Sequence, residues 1–342
     1  MKDFNVLITG CSRFSKELID SLKNNEDGVN VKVVGVDCNP NHLLHTGVDW
    51  SYVVPTIYDP EYIPTLINIC KKHGVNVILP YITRELELMA ANKHRFEEYY
   101  FKVSISSVES INVANDKVAM WEKFSRYMPQ QTFATGRESI MSFARSVGYP
   151  TNKICCKLTN RCGGLGFAIV DEEKANDITL FNKSNENRYV TLEQLCTIVD
   201  ENKDVTILLQ NYIPGLDYSV CVLADKGESL IEVGYVGKLM SYGSVVNGEI
   251  VKHDEAYRIA REVTKELGLD GNACFDFIID GEKAVLLEVN PRINASIPFV
   301  AKAGANLPYL RCKQLLGYEL PKEFNIKYGM KMNRYYESEY FF

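Results

Sequence analysis

The rhythm of hydrophobic positions changes along the chain. In the first third, short apolar runs alternate with helix-forming segments. Asn5-Val6-Leu7-Ile8-Thr9-Gly10 reads as a buried parallel strand ending at a glycine turn, and Ser15 to Leu22 as a helix. Val31 to Asp37 reads as a second strand with an acid at its carboxyl end, and Pro60 to His73 as a second helix. Val75 to Pro80 is a third strand, followed by a helix from about Arg84. Strands separated by helices imply βαβ units and a parallel sheet, and right-handed crossovers make that a Rossmann-like layer.

The pattern then shifts. A helix runs from Asn115-Asp116-Lys117 to about Tyr127, before Pro129. Gly148-Tyr149-Pro150 punctuates the chain ahead of Ile154-Cys155-Cys156. The Gly-rich stretch Lys157 to Gly166 then leads into Phe167-Ala168-Ile169-Val170, which predicts a hairpin with a flexible tip. Asp171 to Asn187 is polar, with helix and loop character. Beyond it, Val205 to Leu209, Tyr218 to Leu223 and Glu232 to Gly237 read as strands. Glu255 to Leu267 reads as a helix, with apolar positions at Ala256, Ile259, Ala260, Val263 and Leu267. Ala273 to Ile279 and Ala284 to Val289 are strands joined by a turn at Asp280-Gly281. These segments suggest antiparallel pairing, so the chain reads as α/β followed by α+β.

Composition narrows the class. The 342 residues fit two or three domains, and 46% hydrophobic residues suffice for sizeable cores. A net charge of −6 argues against a nucleic-acid binder. No apolar run approaches the ~20 residues that cross a bilayer. The start, Met1-Lys2-Asp3-Phe4-Asn5, lacks the basic region of a secretion signal, so a cytoplasmic protein is expected. The ten cysteines show no Cys-x-x-Cys spacing, and several lie in strand-like runs. They read as buried, reduced thiols, with Cys162 in the Gly-rich loop as the exception.

The first turn, Gly10-Cys11-Ser12-Arg13-Phe14, lacks the glycines that let a backbone approach a pyrophosphate. Asp37 is compatible with ribose binding, but a structural layer is the preferred reading over a dinucleotide site. Three other constellations carry chemistry. Asp276 stands with Glu288, Asn290 and Arg292; strand alternation puts Glu288 and Asn290 on one face. If the two strands pair, two carboxylates and an amide oxygen converge in a set of hard ligands suited to Mg²⁺, with an arginine beside them for a phosphoryl or carboxylate group. Flanking Phe277, Ile278, Leu286 and Leu287 make both strands look central, where acids need partners; a solvated hairpin face is the competing reading. Lys157 with Gly163, Gly164 and Gly166 suits phosphate oxygens, although such a loop is often only a turn, and it is not a Walker A sequence. Gln210-Asn211-Tyr212-Ile213 offers a strand end for an adenine edge, with Asp217 placed for ribose hydroxyls, a weak signal alone.

In this order the three constellations resemble the ATP-grasp superfamily, most closely the ATP-binding unit shared by carbamoyl-phosphate synthetase and biotin carboxylase. The resemblance covers nearly the whole chain. It implies a Rossmann-like pre-ATP-grasp domain over 1–113, an ATP-grasp domain over 114–320 with a lid subdomain at about 135–208, and a C-terminal tail over 321–342. Asp116-Lys117 is similar to the family's entry motif, and the Lys157 to Gly166 loop to its lid. Gln210 to Ile213 resembles the adenine hinge, and Asp217 the ribose acid. Asp276, Glu288 and Asn290 resemble the Mg²⁺ (or Mn²⁺) ligands. The resemblance implies nucleotide contacts from Lys117, Lys157, Gly163, Gly164, Gly166, Gln210, Asn211, Tyr212, Ile213 and Asp217, and catalytic roles for Lys157 and Arg292. Lys238 is a further candidate, for phosphate or substrate. The chain departs from the family pattern at Leu158, where proline is frequent, and at Gln210, where glutamate is common.

The implied reaction is ATP-dependent joining of a small carboxylate and an amine through an acyl phosphate, releasing ADP and phosphate. A single-unit carbamoyl-phosphate synthase-like subunit and a non-catalytic ATP-binding regulator are the alternatives; the full set of metal and phosphoryl residues argues against the regulator. Arg13, Tyr81 to Glu85 and Asn294 to Phe299 are candidates for the substrate pocket. A homodimer is a possible assembly. Gly329-Met330-Lys331-Met332 resembles a biotin-attachment tetrapeptide, but no carrier domain surrounds it, so a terminal strand or tail is expected.

Overall fold

The computed structural model describes residues 1–44, 46–158, 166–177, 188–241 and 244–335. Its strands form three sheets, taken up in chain order. The first contains β1 (Phe4–Thr9), β2 (Val31–Asp37), β3 (Trp50–Val53), β4 (Val77–Leu79) and β5 (Lys102–Val103). It is wholly parallel, in the order β3-β2-β1-β4-β5. Helices cover both faces, so β1 buries side chains both ways: Leu7 packs with the helix Tyr62–His73, while Val6 and Ile8 face the helix Lys16–Lys23. That is why β1 is a continuous apolar run.

The second sheet is built from β6 (Gln131–Ala134), β7 (Ile154–Leu158), β8 (Phe167–Val170), β9 (Tyr189–Val190) and β10 (Ile207–Asn211), in the order β6-β10-β7-β8-β9. The helices Arg137–Ser146 and Leu192–Glu201 complete its separate core around Ile140, Leu195 and Leu209. The third sheet runs β15-β14-β11-β12-β13-β16. Its members are β11 (Leu216–Asp225), β12 (Glu228–Ser241), β13 (Ser244–Ile250), β14 (Gly271–Asp280), β15 (Lys283–Asn290) and β16 (Lys331–Asn333).

Two cores sandwich the third sheet. One face packs on the helix Asp254–Leu267, whose five anticipated apolar positions are all buried. The other face packs on Ile297–Lys302 and Leu307–Leu315, and through them on the first helix and sheet. The first and third sheets therefore share a core, and the site lies along their junction.

Several elements differ from the sequence reading. β14 is interior, but β15 is an edge strand, which leaves Glu288 exposed. The Met-Lys-Met tetrapeptide contributes β16, pairing Lys331 with Glu249. Cys38 is exposed at the end of β2, whereas the other described cysteines are buried free thiols; Cys162 lies outside the described residues. Among the described residues, no helix is long and apolar enough to cross a membrane.

Candidate active site

The site is built on the β14–β15 hairpin, closed by the Asp280-Gly281 turn. Antiparallel pairing sets Asp276 directly opposite Glu288. The next pair is Phe277 with Leu286, so Leu287 is the extra residue of a bulge. Bulges re-aim neighbouring side chains. Here Glu288 and Asn290 meet: Asn290 Nδ2 donates to Glu288 Oε1 at 3.2 Å and to Asp276 Oδ2 at 3.1 Å. Ser219 of the adjoining β11 donates its hydroxyl to Asp276 Oδ1 at 2.8 Å. Enclosure by protein, and then the negative charge of Glu288, push the Asp276 carboxyl up to about 7. Two facing carboxylates in that setting favour a cation between them.

The donor set fits a small hard cation. Among the described residues no three His, Cys, Asp or Glu side chains gather. Two carboxylates plus an amide are too few for an all-protein cage, and they suit Mg²⁺, which keeps water and phosphate in its remaining positions. Asp276, Glu288 and, with its amide turned, Asn290 are the residues that would hold it; the oxygen and nitrogen of such an amide are assigned only by their partners.

Arg292 lies just past the strand. Its Nη2 reaches Asn290 Oδ1 at 3.4 Å and its Nη1 donates to Ile293 O at 3.0 Å. Its Nε donates to Thr83 Oγ1 at 2.8 Å, so the segment after β4 of the first sheet helps orient it. The loop that presents Thr83 is organised by Glu85. This buried carboxylate accepts from the Tyr81 and Ile82 amides at 2.9 and 3.1 Å, from Tyr62 Oη at 2.8 Å, and from the Thr9 hydroxyl. Glu85 was anticipated within the substrate pocket. Fully buried and bonded to the Tyr81 and Ile82 amides, it positions the loop. Arg13 is exposed, with its guanidinium 5.0 Å from the Phe14 ring centre.

The groups expected at a nucleotide come from the helix Lys117–Phe124, the second sheet and the start of β11. Asp116 caps the helix Lys117–Phe124, accepting from the Val118 and Ala119 amides at 2.7 and 3.0 Å, and Lys117 opens that helix. Lys157, on β7, lies 5.9 Å from the centre of the Phe167 ring. Its charge reaches Asp217 at the start of β11. Surrounding protein raises the Asp217 carboxyl pKa, and Lys157 pulls it back. Gly166 has φ +78°, a conformation that side chains disfavour. Gly163 and Gly164 lie outside the described residues.

At the end of β10, the Asn211 amide donates to Gln130 O and the Tyr212 amide to Lys153 O, both at 2.9 Å. Among the described residues the Ile213 amide has no acceptor. Asn211 Oδ1 is buried and, among the described residues, has no partner. The buried Gln210 side chain donates to Gln131 Oε1 at 2.7 Å, and Gln131 Nε2 reaches Lys117 O at 3.5 Å. Gln131 thus ties the hinge to the Lys117 helix, a link that no local motif announces. Gly215 then passes against Ile279 O, where a Cβ would come within 2.4 Å.

Lys238 follows Gly237, which stands opposite Asp217 in the β11–β12 pairing. It is exposed at a bulge in β12 and paired with Glu249 at 2.8 Å. The structure brings Asp276, Glu288, Asn290 and Arg292 into one cluster; Asp217, on β11 two residues before Ser219, lies within electrostatic reach of Lys157 on β7 of the second sheet.

Two family models match the chain. One, the PylC-like N-terminal domain, matches residues 6–104. The other, described as ATP-grasp in the biosynthetic pathway with Ter operon, matches residues 203–337. The carbamoyl phosphate synthase large chain of Clostridium acetobutylicum is 21% identical over 89% of this chain and 27% of its own length. The chain thus spans about a quarter of the length of the curated relatives it matches. Among solved structures, the biotin carboxylase domain of the Hydrogenobacter thermophilus 2-oxoglutarate carboxylase, in complex with MgADP, superposes with a TM-score of 0.66. It is 18% identical, and the match covers 97% of this chain and 74% of that one. An L-amino acid ligase from Bacillus licheniformis gives 0.61 at 13% identity, covering 93% and 75%.

Proposed function

We propose that this member of the ATP-grasp superfamily is an ADP-forming carboxylate–amine ligase acting on small molecules. The observation that supports it most is the cluster of Asp276, Glu288 and Asn290 with Arg292 alongside. Those groups suit the outer phosphates of ATP and a carboxylate lined up with them.

In this reading Lys117, Lys157, Gln210 to Ile213 and Asp217 hold the nucleotide. The Ile213 amide serves the adenine edge, with Asn211 Oδ1 beside it, and Asp217 serves the ribose. The metal, when bound, neutralises charge on the phosphates. Lys157 and Arg292 add fixed positive charge, which counts most where charge develops. A carboxylate oxygen attacks the γ-phosphorus and ADP leaves, giving an acyl phosphate. The amine then attacks the acyl carbon, and phosphate departs with one oxygen of the original carboxylate. Orientation by Arg292, itself held by Thr83, supplies the proximity this requires.

The test is an ADP-release screen of carboxylates and amines in pairs, followed by an ¹⁸O-carboxylate experiment on the active pair. Label is expected in inorganic phosphate. Label in AMP, or in neither product, would overturn the acyl-phosphate route. Glu288→Gln should lower turnover by about 10²-fold or more, the scale of a lost electrostatic group, with the folded structure intact because Glu288 is exposed at a sheet edge.

A second reading is a carbamoyl-phosphate synthase-type unit, favoured by the name of the curated relatives. Carbamoyl phosphate made from bicarbonate, ammonia and ATP by the chain alone would support it.

A further inference from the structure

Arg334 enters the site region from the far end of the chain. It follows β16, which pairs with β13 through Lys331, Met332 and Asn333. The Arg334 amide donates to Val246 O at 2.7 Å, so its backbone is fixed. Its Nη2 donates to Glu17 Oε2 at 2.9 Å, on the first helix, and to Ala295 O at 3.2 Å, in the loop just after Arg292. Its Nε is buried and, among the described residues, has no acceptor.

A charged donor buried without an acceptor is costly. It is retained readily where a ligand oxygen completes it. The surroundings say which ligand. Tyr81 lies within electrostatic reach of both Arg292 and Arg334: burial pushes its phenol up to about 12, and the two guanidinia work against that rise. Tyr81 Oη donates to Phe14 O at 3.3 Å, which joins the two loops of the first domain nearest Arg292. Arg292 is engaged at the metal end, on Asn290 and Thr83. Arg334 has no hydrogen bond to the metal-binding side chains; its contacts are Glu17 and Ala295. The side chains of Phe14 and Ile82, 49% and 36% exposed, offer apolar surface on these same loops.

We propose that the carboxylate substrate carries a second anionic group, a carboxylate or a phosphate, which Arg334 Nε receives while Arg292 serves the reacting end. This rests on the ligase reading and deepens it by substrate class. Arg334 is a specificity residue, anchored in advance by β16 and Ala295, and Glu17 holds its Nη2 so that the Nε edge stays presented. A guanidinium has five N–H donors, enough to keep Glu17 and accept a ligand as well.

The test is calorimetric titration of the full chain, with Mg²⁺ and a non-hydrolysable ATP analogue, by two series. Acetate and propionate are the monoanions. Malonate, succinate, L-aspartate, L-glutamate and phosphoacetate are the bis-anions, the last separating phosphate from carboxylate. At least one bis-anion should bind about tenfold or more tighter than either monoanion, the worth of one charge-assisted hydrogen bond. Arg334→Gln should erase that advantage and leave nucleotide affinity within twofold. No preference in the native chain, or a preference that survives Arg334→Gln, overturns the proposal. Should that variant fail to fold, Arg334→Lys decides: its ammonium can keep the Glu17 charge pair but has no Nε edge, so the bis-anion advantage should fall severalfold, and an undiminished advantage overturns the proposal. If bis-anion selectivity holds while no carboxylate drives ADP release, the ligase reading fails and the Arg334 site stands.

Discussion

Glu85 shows how one side chain sets a functional loop from a distance. Its carboxyl lies in a buried pocket with four donors from Thr9, Tyr62, Tyr81 and Ile82. Burial raises its pKa, and the hydrogen bonds from Thr9, Ile82, Tyr62 and Tyr81 offset only part of that rise. The folded chain therefore binds a proton that the unfolded chain has already lost, across the window between the ordinary glutamate value and the raised one. In that window stability falls as pH rises, because the native state binds more protons. Glu85→Gln removes the titration and keeps one acceptor. Urea unfolding of the native chain and the variant, from pH 4 to pH 8, should show a difference that changes with pH and shifts towards the variant as pH rises. A constant difference would mean that Glu85 does not titrate on folding. Because Thr83 of this loop bonds Arg292, the same variant should also weaken ADP release, through orientation alone.

At the scale of elements, the second sheet has its own core, and its β7 and β10 carry the candidates Lys157, Gln210 and Asn211. Binding of a non-hydrolysable ATP analogue should slow amide exchange in Ile154–Leu158 and Phe167–Val170 by about tenfold, as lid elements draw in over phosphates. Equal exchange with and without nucleotide would remove the lid assignment. Much at this scale was legible in the sequence. The helix Asp254–Leu267 shows its buried stripe openly, and the β14–β15 hairpin shows its turn and the shared face of Glu288 and Asn290. Other elements were hidden for physical reasons. In Leu307–Leu315, residues Leu307 to Cys312 are all buried, Arg311 included, so no polar face marks the helix. The short edge strands β3 and β16 hold only four and three residues. Ser219, Gln131 and Arg334 reach the site only through tertiary pairing, and Thr83 stands 209 positions from Arg292. No local pattern carries such information.

At the scale of the molecule, Arg311 joins the segment after β5 of the first sheet to the start of β14 in the third. It is the largest side chain with almost no exposure, at 1%. Its Nη1 pairs with Asp270 Oδ1 at 2.9 Å and donates to Gln314 Oε1 at 2.7 Å, while its Nε donates to Ser104 Oγ at 3.2 Å. Ser106 adds two bonds to the Asp270 backbone, at 2.9 and 3.2 Å, beside the same junction. One hydrophobic core spans the first sheet and the third, from Val6 and Leu18 to Leu223 and Leu310. The Asp276, Glu288 and Asn290 cluster on one sheet and the Thr83 loop on the other, which bonds Arg292, act together only if that junction is rigid. Arg311→Met removes the cation and leaves Asp270 mostly buried, with Lys93 at 3.9 Å as its remaining ion partner. Stripping one partner from a buried pair costs about 3–5 kcal/mol, and that loss should fall on both sheets together. The chain has two tryptophans, one on each side: Trp50 on β3 and Trp121 in the Lys117–Phe124 helix, which packs on the third sheet. Single-tryptophan versions of the native chain should report the same urea midpoint, and Arg311→Met should move both midpoints down by equal amounts. Midpoints that separate, or a shift confined to Trp50, would mean that the two sheets unfold independently and that Arg311 serves only its own helix.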